Sequence, residues 1–173
     1  MLSLFAYVGR MENKERKRNR LEGYDYSESG AYFITICTKN RAKILADIVG
    51  GGAFDAPKCC LTPAGKTVEK YIVSSNNIPG VHVDKYVVMP NHVHLLISLD
   101  GTDGPPRASA PTAAKIPHLV STLKRFSNRD IGEDIFQRSY HDHIIRDERD
   151  YMLRWNYMDT NPAKWQEDEY YEK

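Results

Sequence analysis

The pattern of hydrophobic and polar residues predicts β-strands at four places. Residues 31–38 are rich in β-branched and aromatic side chains and contain neither Gly nor Pro, which is typical of a strand. Residues 81–89 and 92–99 are two further strand-like runs, separated by a Pro-Asn pair at 90–91 that suits the centre of a tight turn. They predict a β-hairpin, and residues 136–145 predict the last strand.

Apolar residues recur at helical spacing in three segments. The first begins at Thr62-Pro63, an N-cap residue followed by proline at the first helical position, and stops before Pro79-Gly80. The second covers residues 116–126, and the third covers residues 148–160 and is stopped at Asn161-Pro162. This order predicts an α+β protein of ferredoxin-like class, in which two helices cover one face of a four-stranded antiparallel sheet. The other face is free for a site or for the C-terminal helix.

The length and composition predict one domain. A chain of 173 residues with 41% hydrophobic residues is long enough for one substantial core and too short for two independent ones. Residues 1–22 are a predicted basic N-terminal arm, because the segment 11–23 is charged and polar without a sustained apolar face. Residues 23–173 are the predicted domain, interrupted by a flexible insertion rich in Gly, Pro, Ser and Ala at about residues 100–115.

Charge balance and the lack of long apolar runs narrow the function classes. The formal net charge of +1 does not mark a general polyanion binder, so a nucleic-acid surface needs segregated charge such as that of the arm. No stretch reaches the roughly 18 apolar residues of a membrane span, and residues 1–10 lack the features of a signal peptide. We therefore expect a cytoplasmic protein whose cysteines, Cys37, Cys59 and Cys60, are reduced and serve in packing.

Two histidines predict a metal site on one face of the sheet. Side chains on a strand alternate between faces, so His92 and His94 point to one side while Val93, Leu95 and Ile97 point to the helix-covered side. The two imidazoles then lie close enough to bind one divalent ion. The pair alone is also compatible with two surface or hydrogen-bonded histidines.

The C-terminal helix supplies a candidate nucleophile. Tyr151, Trp155 and Met158 recur at the spacing of a buried stripe, whereas Tyr157 lies on a different side. Tyr157 and Asn161 are four residues apart, so their side chains share one face of the helix while it persists. A phenol hydroxyl and an amide oxygen can then serve one metal ion. Asn161 precedes a proline, and its other reading is a helix cap.

Several segments of the sequence resemble one protein family. The stretch YVVMPNHVHLLI, residues 86–97, resembles the histidine-hydrophobic-histidine core of the HUH transposases that use one catalytic tyrosine. The stretches GYDYSESGAYFITICTKNR, QRSYHDHIIRDERDY and NYMDTNPAKW resemble the REP-associated tyrosine transposase branch in order and approximate spacing. Together they cover residues 23–165 apart from the insertion. The resemblance implies a transposase or a repeat-processing enzyme.

The resemblance also implies a reaction and a role for each site residue. His92 and His94 are then metal ligands, Tyr157 is the nucleophile, and Asn161 stands at the position of the third, amide ligand, where several relatives have glutamine. The implied reaction is cleavage and rejoining of single-stranded DNA through a 5′-phosphotyrosine. The implied cofactor is Mg²⁺ or Mn²⁺, and the implied partner is a hairpin-containing single strand. A homodimer, and action of the tyrosine in its own or a partner subunit, both stay open.

Basic residues are expected to line a path for the phosphate backbone of DNA. Any one of them taken alone is compatible with a solvated surface. The predicted set is Arg16, Lys17, Arg18, Arg20, Arg41, Lys124, Arg125, Arg138 and Arg146.

Two other functions are compatible with parts of the pattern. A catalytically inactive single-stranded nucleic-acid binder would use the exposed sheet face, with Tyr32 and Tyr86 as stacking platforms, and would not depend on a metal. A zinc hydrolase would combine the histidines with Asp142 or Asp147, but no third ligand lies at a recognisable short spacing. A second His-x-His pair, within residues 141–143, is expected to be structural.

Overall fold

The structure, a computed structural model, describes residues 29–52, 55–100 and 115–172. The predicted arm at 1–22 and nearly all of the predicted insertion lie outside the described residues. In chain order the elements are β1 (Gly30–Cys37), β2 (Ala46–Val49), β3 (Lys58–Leu61), α1 (Pro63–Ser74), β4 (Val81–Val88), β5 (His92–Leu99), α2 (Lys115–Ile131), β6 (His141–Ile145) and α3 (Glu148–Thr160). They follow the predicted order, with one additional hairpin, β2–β3.

Four antiparallel strands form the central sheet, in the order β4-β5-β1-β6. β1 pairs with both β5 and β6, and β4 pairs with β5 at the other edge. The connection from β1 to β4 contains α1, and the connection from β5 to β6 contains α2. A crossover of this length is what parallel-running strands such as β1 and β4 require. The predicted ferredoxin-like α+β fold is therefore confirmed.

One face of the sheet packs on α1 and α2 to form the main core. Alternate strand residues such as Ile34, Leu95 and Ile97 meet Ile72 of α1 and Leu123 of α2, and all five are buried. Each such burial contributes roughly 1.5–3 kcal/mol to the free energy of folding. Within the described residues, no helix combines the length and the apolar character that a membrane span needs.

The opposite face of the sheet packs on α3 through a smaller cluster. Phe33, Leu96 and Met158 are its buried members, and Tyr151 and Trp155 pack against them while staying partly exposed. The predicted buried stripe of α3 is thus fully buried only at Met158. Because α3 covers this face incompletely, a cleft remains beside it.

The sequence pattern does not predict the β2–β3 hairpin. Its strands have four residues each, and half of the positions are exposed, so neither strand carries a sustained alternation. All three cysteines are free, as expected. The packing role expected for Cys60 is wrong, however, because this side chain is exposed on β3.

The last strand is shorter than predicted. It begins at His141, and Phe136 makes only an isolated bridge. The cause is Lys124, whose ammonium group donates to the carbonyl oxygens of Gln137 and Ser139 at 2.8 and 2.9 Å. These carbonyl groups are satisfied by a side chain, so the segment before β6 needs no strand partner.

Candidate metal and nucleophile site

His92 and His94 lie side by side on the sheet face that α3 partly covers. Their Nε2 atoms are 3.0 Å apart, and their ring centroids are 4.5 Å apart. Both side chains are buried, whereas Val93, Leu95 and Ile97 belong to the core against α1 and α2. Strand alternation therefore places the two imidazoles together and away from the main core, as the pattern predicts.

Hydrogen bonds hold the far edge of each imidazole. His92 Nδ1 lies 2.9 Å from Asn91 Oδ1, and the Asn91 amide nitrogen donates to the Tyr170 carbonyl oxygen at 2.8 Å. Because the second bond orients the Asn91 amide, Oδ1 must accept, so neutral His92 carries its proton on Nδ1. His94 Nδ1 lies 2.8 Å from Thr35 Oγ1. A hydroxyl both donates and accepts, so His94 can take either tautomer.

The lone pair of His92 Nε2 consequently faces His94 Nε2. Without a cation, His94 donates from Nε2 to His92, and the Thr35 hydroxyl donates to His94 Nδ1. With a cation, His94 must offer a second lone pair at Nε2 and donate from Nδ1 to Thr35, the kind of outer partner that orients metal-bound histidines.

Burial keeps both histidines neutral. It lowers the pKa of His92 to about 4. Burial, the neighbouring His92 and the charge of Arg154 together lower the pKa of His94 well below its ordinary value of 6.5. Neutral imidazole is the form that binds metal ions, so protons do not compete for this pair at neutral pH.

Tyr157 projects from α3 into the same cleft. Its ring centroid is 5.3 Å from that of His94 and 6.1 Å from that of Phe33, and its hydroxyl donates to Asp168 Oδ2 at 2.9 Å. Tyr157 is half-buried against the cluster of Phe33, Leu96 and Met158. It is less exposed than expected for a residue outside the predicted buried stripe. Burial, followed by the charge of Asp168, raises the pKa of the Tyr157 hydroxyl above its ordinary value. So weak an acid needs a base or a cation nearby to act as a nucleophile.

Asp168 belongs to the site, although the sequence pattern does not reveal it. It lies in the segment 161–172 after α3, which includes a short 3-10 turn at Trp165–Glu167 and folds back over the histidines. The potential ligand atoms of His92, His94 and Asp168 lie within 4.8 Å of one another. No spacing rule connects an aspartate so far along the chain with a His-x-His pair, and only the fold brings them together.

Asn161 stays in register with Tyr157 at the end of α3. It has αR geometry (φ −56°, ψ −45°) despite the proline that follows. The residue is 2% exposed, and within the described residues its amide makes no hydrogen bond of standard geometry. The amide lies near the Tyr157 hydroxyl and opposes the rise in the pKa of that group. An unpartnered buried amide costs roughly 1–3 kcal/mol, which a water molecule or a cation would offset.

The donor set fits a divalent cation. Two converging imidazole nitrogens and a carboxylate lie within reach of one ion, and among the described residues the buried amide of Asn161, near the Tyr157 hydroxyl, has no hydrogen-bond partner. Imidazole ligands suit Mn²⁺ and Zn²⁺, and the oxygen ligands suit Mg²⁺. The residues present are therefore compatible with the ion that the family resemblance implies.

Two of the predicted DNA-contacting residues have partners inside the protein. The ammonium of Lys124 donates to backbone carbonyl groups, and burial lowers its pKa to about 8. The structure therefore does not support a DNA contact by Lys124. The guanidinium of Arg41 lies 3.4 Å from Glu172 and 4.9 Å from the ring centre of Tyr170, so Arg41 fastens the C-terminal segment over the site.

The three other basic residues of the predicted set that the structure describes do not line the cleft. Arg125 stacks on the ring of Phe126 in α2, at 4.7 Å from its centre. Arg138 and Arg146 are exposed on the segments before and after β6. The arm residues Arg16, Lys17, Arg18 and Arg20 lie outside the described residues.

The predicted stacking platform of the non-enzymatic alternative is wrong. Tyr32 is fully buried in the core against α1 and α2, because alternation along β1 turns it away from the site. Tyr86 is partly buried in the same core, and its hydroxyl donates to Glu69 at 3.1 Å.

The aspartates of the zinc-hydrolase alternative are not the ones near the histidines. Asp142 pairs with Ile34 in the sheet, so its side chain is directed to the helix-covered face. Asp147 caps α3 by accepting from the Asp150 amide at 2.8 Å. His143 Nε2 lies at hydrogen-bond distance, 2.7 Å, from Asp150 Oδ2, which agrees with its expected structural role.

Comparisons with known proteins give relatives along most of the chain. An uncharacterised protein of Haemophilus influenzae is 31% identical over 176 residues, which cover 90% of this chain and 93% of that protein. A second protein of the same organism, by its name a candidate REP-associated tyrosine transposase, is 24% identical over 152 residues, covering 81% of this chain and 74% of that one. No family model matches the sequence.

The fold also has a counterpart among solved structures. The structure of a REP-associated tyrosine transposase bound to a REP hairpin superposes with a TM-score of 0.54, covering 84% of this chain and 74% of that one at 19% identity. At this identity the superposition shows a common fold. This chain therefore has the fold of a REP-associated tyrosine transposase, and its sequence is similar to that of a protein named as one.

Proposed function

We propose that this protein cleaves and rejoins single-stranded DNA through a covalent 5′-phosphotyrosine formed by Tyr157. The observation that supports this most directly is the position of the Tyr157 hydroxyl. It shares one cleft with His94, whose imidazole is paired with that of His92, and it is hydrogen-bonded to Asp168, which neighbours both histidines. A nucleophile, a proton acceptor and ligands for a cation are thus within reach of one phosphate.

The proposed step exchanges one phosphodiester for another. The phenol oxygen of Tyr157 bonds to phosphorus, and the bond from phosphorus to the 3′ oxygen breaks. The phenolic proton passes to Asp168, and the departing 3′ oxygen takes a proton from water, which Asp168 restores. The products are a 5′-phosphotyrosine and a free 3′-hydroxyl, and attack by another 3′-hydroxyl reverses the step without an external energy source.

The residues of the chain would prepare this step before the DNA arrives. Asn91 and Thr35 orient the two imidazoles, and Asp168 is already the hydrogen-bond acceptor of the nucleophile. A bound divalent cation, held by the histidines and Asp168, would supply stabilisation of the charge on the non-bridging phosphate oxygens. Asn161 is the proposed further ligand, since its buried amide has no hydrogen-bond partner in the part of the chain that the structure describes.

We propose a hairpin-containing single strand as the substrate and action of Tyr157 in its own subunit. The solved relative with the same fold is bound to a REP hairpin, which supports this class of DNA. The rings of Tyr157 and His94 are 5.3 Å apart within one chain, so the proposed chemistry needs no tyrosine from a second subunit. The predicted domain 23–173 contains all of the proposed site residues.

The test is formation of a covalent adduct with labelled DNA. Single strands with and without a hairpin are incubated with the protein and Mg²⁺, Mn²⁺ or Zn²⁺, and the adduct is resolved on a denaturing gel. We expect an adduct that requires a cation and is abolished by Tyr157→Phe, which removes only the hydroxyl. DNA affinity and thermal stability should stay near those of the wild type.

The matched control is Tyr151→Phe, on the same helix. Tyr151 packs with Trp155, and their ring centroids are 6.1 Å apart, so losing its hydroxyl should leave adduct formation unchanged. Cleavage by Tyr157→Phe at the wild-type rate would exclude Tyr157 as the nucleophile. DNA binding without any adduct, in any of the three metals, would favour a non-enzymatic binder.

A further inference from the structure

Arg154 places a guanidinium group in the cleft one helical turn before Tyr157. Residues three apart on a helix share a face, and Arg154 lines the cleft together with Tyr157, His94 and Asp168. Its guanidinium lies 5.4 Å from the ring centre of Phe33. The Phe33 ring in turn stacks on His94, with centroids 4.9 Å apart. Arg154 therefore contacts the same group of aromatic rings as the proposed nucleophile and His94.

The guanidinium is held from one side only. Arg154 Nε forms an ion pair with Asp150 Oδ1 at 3.4 Å, without a hydrogen bond of standard geometry, and the other oxygen of Asp150 is hydrogen-bonded to His143 at 2.7 Å. Within the described residues, neither terminal nitrogen of Arg154 has a hydrogen-bond partner, and its side chain is 36% exposed. The carboxylate of Asp150 lies beside Nε, and the two terminal nitrogens remain open. A guanidinium in this arrangement suits an oxyanion.

The cleft is lined by acidic side chains, so a phosphate that binds there needs a cationic group beside it. Glu167, Asp168 and Glu169 line it, whereas Arg154 is the one permanently positive side chain among its described lining residues. A phosphodiester that enters this cleft meets carboxylate charges on one wall. Arg154 and a bound divalent ion are the positive groups that offset this repulsion.

We infer that Arg154 is a phosphate-binding residue of the reaction, whose terminal nitrogens donate to a non-bridging oxygen of the phosphate that Tyr157 attacks. The inference rests on the proposed function and adds a contact that comes from the protein itself. It also assigns Asp150 and His143 the task of holding Arg154 in place. The predicted basic set omits Arg154, because a single arginine within a helix has no sequence signature.

The first experiment measures the rate constant of adduct formation at saturating DNA. For Arg154→Ala we expect a decrease of about 100-fold, typical of losing one donor to a reacting oxyanion, and a change of less than about tenfold in DNA affinity because other phosphate contacts remain. The rate constant of Arg154→Lys should lie between those of the wild type and Arg154→Ala, since lysine keeps the charge but lacks the two parallel N–H donors of the guanidinium. Adding guanidinium chloride at millimolar concentration should partly restore Arg154→Ala, while sodium chloride at equal ionic strength should not.

Arg149→Gln is the matched control. Arg149 is exposed in the first turn of the same helix, so this change removes an equal charge and should leave the rate constant unchanged. Thermal unfolding of every variant separates a loss of structure from a loss of the contact. A wild-type rate constant for Arg154→Ala, or a decrease that guanidinium does not restore in a folded protein, would overturn the inference.

A second experiment does not depend on cleavage. Phenyl phosphate, a small mimic of phosphotyrosine, is titrated into protein in a chelator, and the arginine side-chain N–H signals are followed by NMR. We expect the Arg154 signal to shift, and the affinity to weaken at least tenfold in Arg154→Ala but not in Arg149→Gln. Binding that depends on Arg154 in a protein that forms no adduct would overturn the proposed function alone. No response of Arg154 in a protein that does form the adduct would overturn the inference alone.

Discussion

At the scale of single residues, the site depends on which nitrogen of each imidazole carries a proton. His92 has one possible neutral tautomer, because Asn91 offers it only an acceptor. His94 must exchange its tautomer for a cation to bind both rings, and the Thr35 hydroxyl permits this exchange. A hydroxyl in the sheet, remote in sequence from the histidines, thus controls the proposed metal site.

Replacing Thr35 tests this control. Thr35→Val has nearly the same shape but cannot accept the Nδ1 proton of metal-bound His94. We expect Mn²⁺ affinity to fall about 10- to 100-fold, the usual effect of losing an outer partner of a ligand, as measured by calorimetric titration. Thr67→Val, on α1 where the hydroxyl bonds the Pro63 carbonyl oxygen, is the control. Equal affinity in both variants would mean that Thr35 does not orient His94.

The buried histidines also predict how stability depends on pH. Burial lowers the pKa of His92 to about 4 and that of His94 well below 6.5, whereas both titrate near 6.5 in the unfolded chain. Between these values the unfolded state binds more protons than the folded state, so the free energy of unfolding falls as the pH falls. In metal-free protein, the contribution of the two neutral histidines to the free energy of unfolding should be fully present above about pH 6.5 and should decrease as the pH falls below that value.

Denaturant titrations in a chelator at pH 7, 6 and 5 measure this dependence. The double variant His92→Gln, His94→Gln should show a weaker decrease over the same range, because it lacks the two groups that must stay neutral. A wild-type free energy of unfolding that is constant from pH 7 to 5 would contradict the burial of uncharged histidines. Adding Mn²⁺ should raise the wild-type stability at pH 7.

At the scale of elements, the start of α1 is fixed by a close contact with the chain ahead of β2. Gly65 has so little space that a Cβ atom there would lie 1.9 Å from the Leu45 carbonyl oxygen. That oxygen also accepts from the Thr62 amide and lies 3.1 Å from its hydroxyl. The contact anchors the helix beside the additional hairpin, and glycine is the residue that permits it.

Gly65→Ala therefore tests whether helix propensity or the close contact with the Leu45 carbonyl oxygen has the larger effect on stability. Helix propensity alone favours alanine by about 1 kcal/mol, but backbone has to move to relieve the clash. We expect a net loss of about 2 kcal/mol or more in the free energy of unfolding. Gly52→Ala, at a position with nothing within 4 Å of the added atom, should change it little. Stabilisation by Gly65→Ala would show that α1 can shift freely.

The elements that the pattern predicts well are those with strong periodicity or caps. α3 begins at Glu148 and ends at Thr160, as predicted, because Asp147 caps its start and Asn161-Pro162 marks its end. α2 continues to Ile131, beyond the predicted 126, since Gly132 with φ 89° is the residue that ends it. The segment before β6 has strand-like composition, but Lys124 satisfies its carbonyl groups instead.

At the scale of the whole molecule, DNA binding is expected to have a part that does not depend on sequence. The predicted arm carries Lys14, Arg16, Lys17, Arg18 and Arg20. Deleting residues 11–20 should make the logarithm of the binding constant less dependent on the logarithm of salt concentration, and the slope should decrease by up to about 3.5 for a single strand. Deleting residues 103–112, which carry Asp103 and Arg107 and no net charge, is the control. An unchanged slope would mean that the arm does not touch DNA.

The sequence by itself determined the fold class and the central residues of the proposed site. Alternation on a strand is a local property, so it placed His92 and His94 together and Val93 in the core. Helical spacing likewise kept Tyr157 and Asn161 in register. These conclusions needed only the geometry of one element at a time.

Only the tertiary structure decided which groups surround these residues. Asp168 reaches the histidines because the segment after α3 folds back over the sheet, and Thr35 reaches His94 because β1 pairs with β5 in one register. Arg154 enters the cleft because α3 crosses the sheet beside Phe33, and Lys124 leaves the predicted DNA surface because its ammonium has nearer acceptors. Contacts between distant parts of a chain depend on packing and register, and neither follows from the spacing of residues along one element.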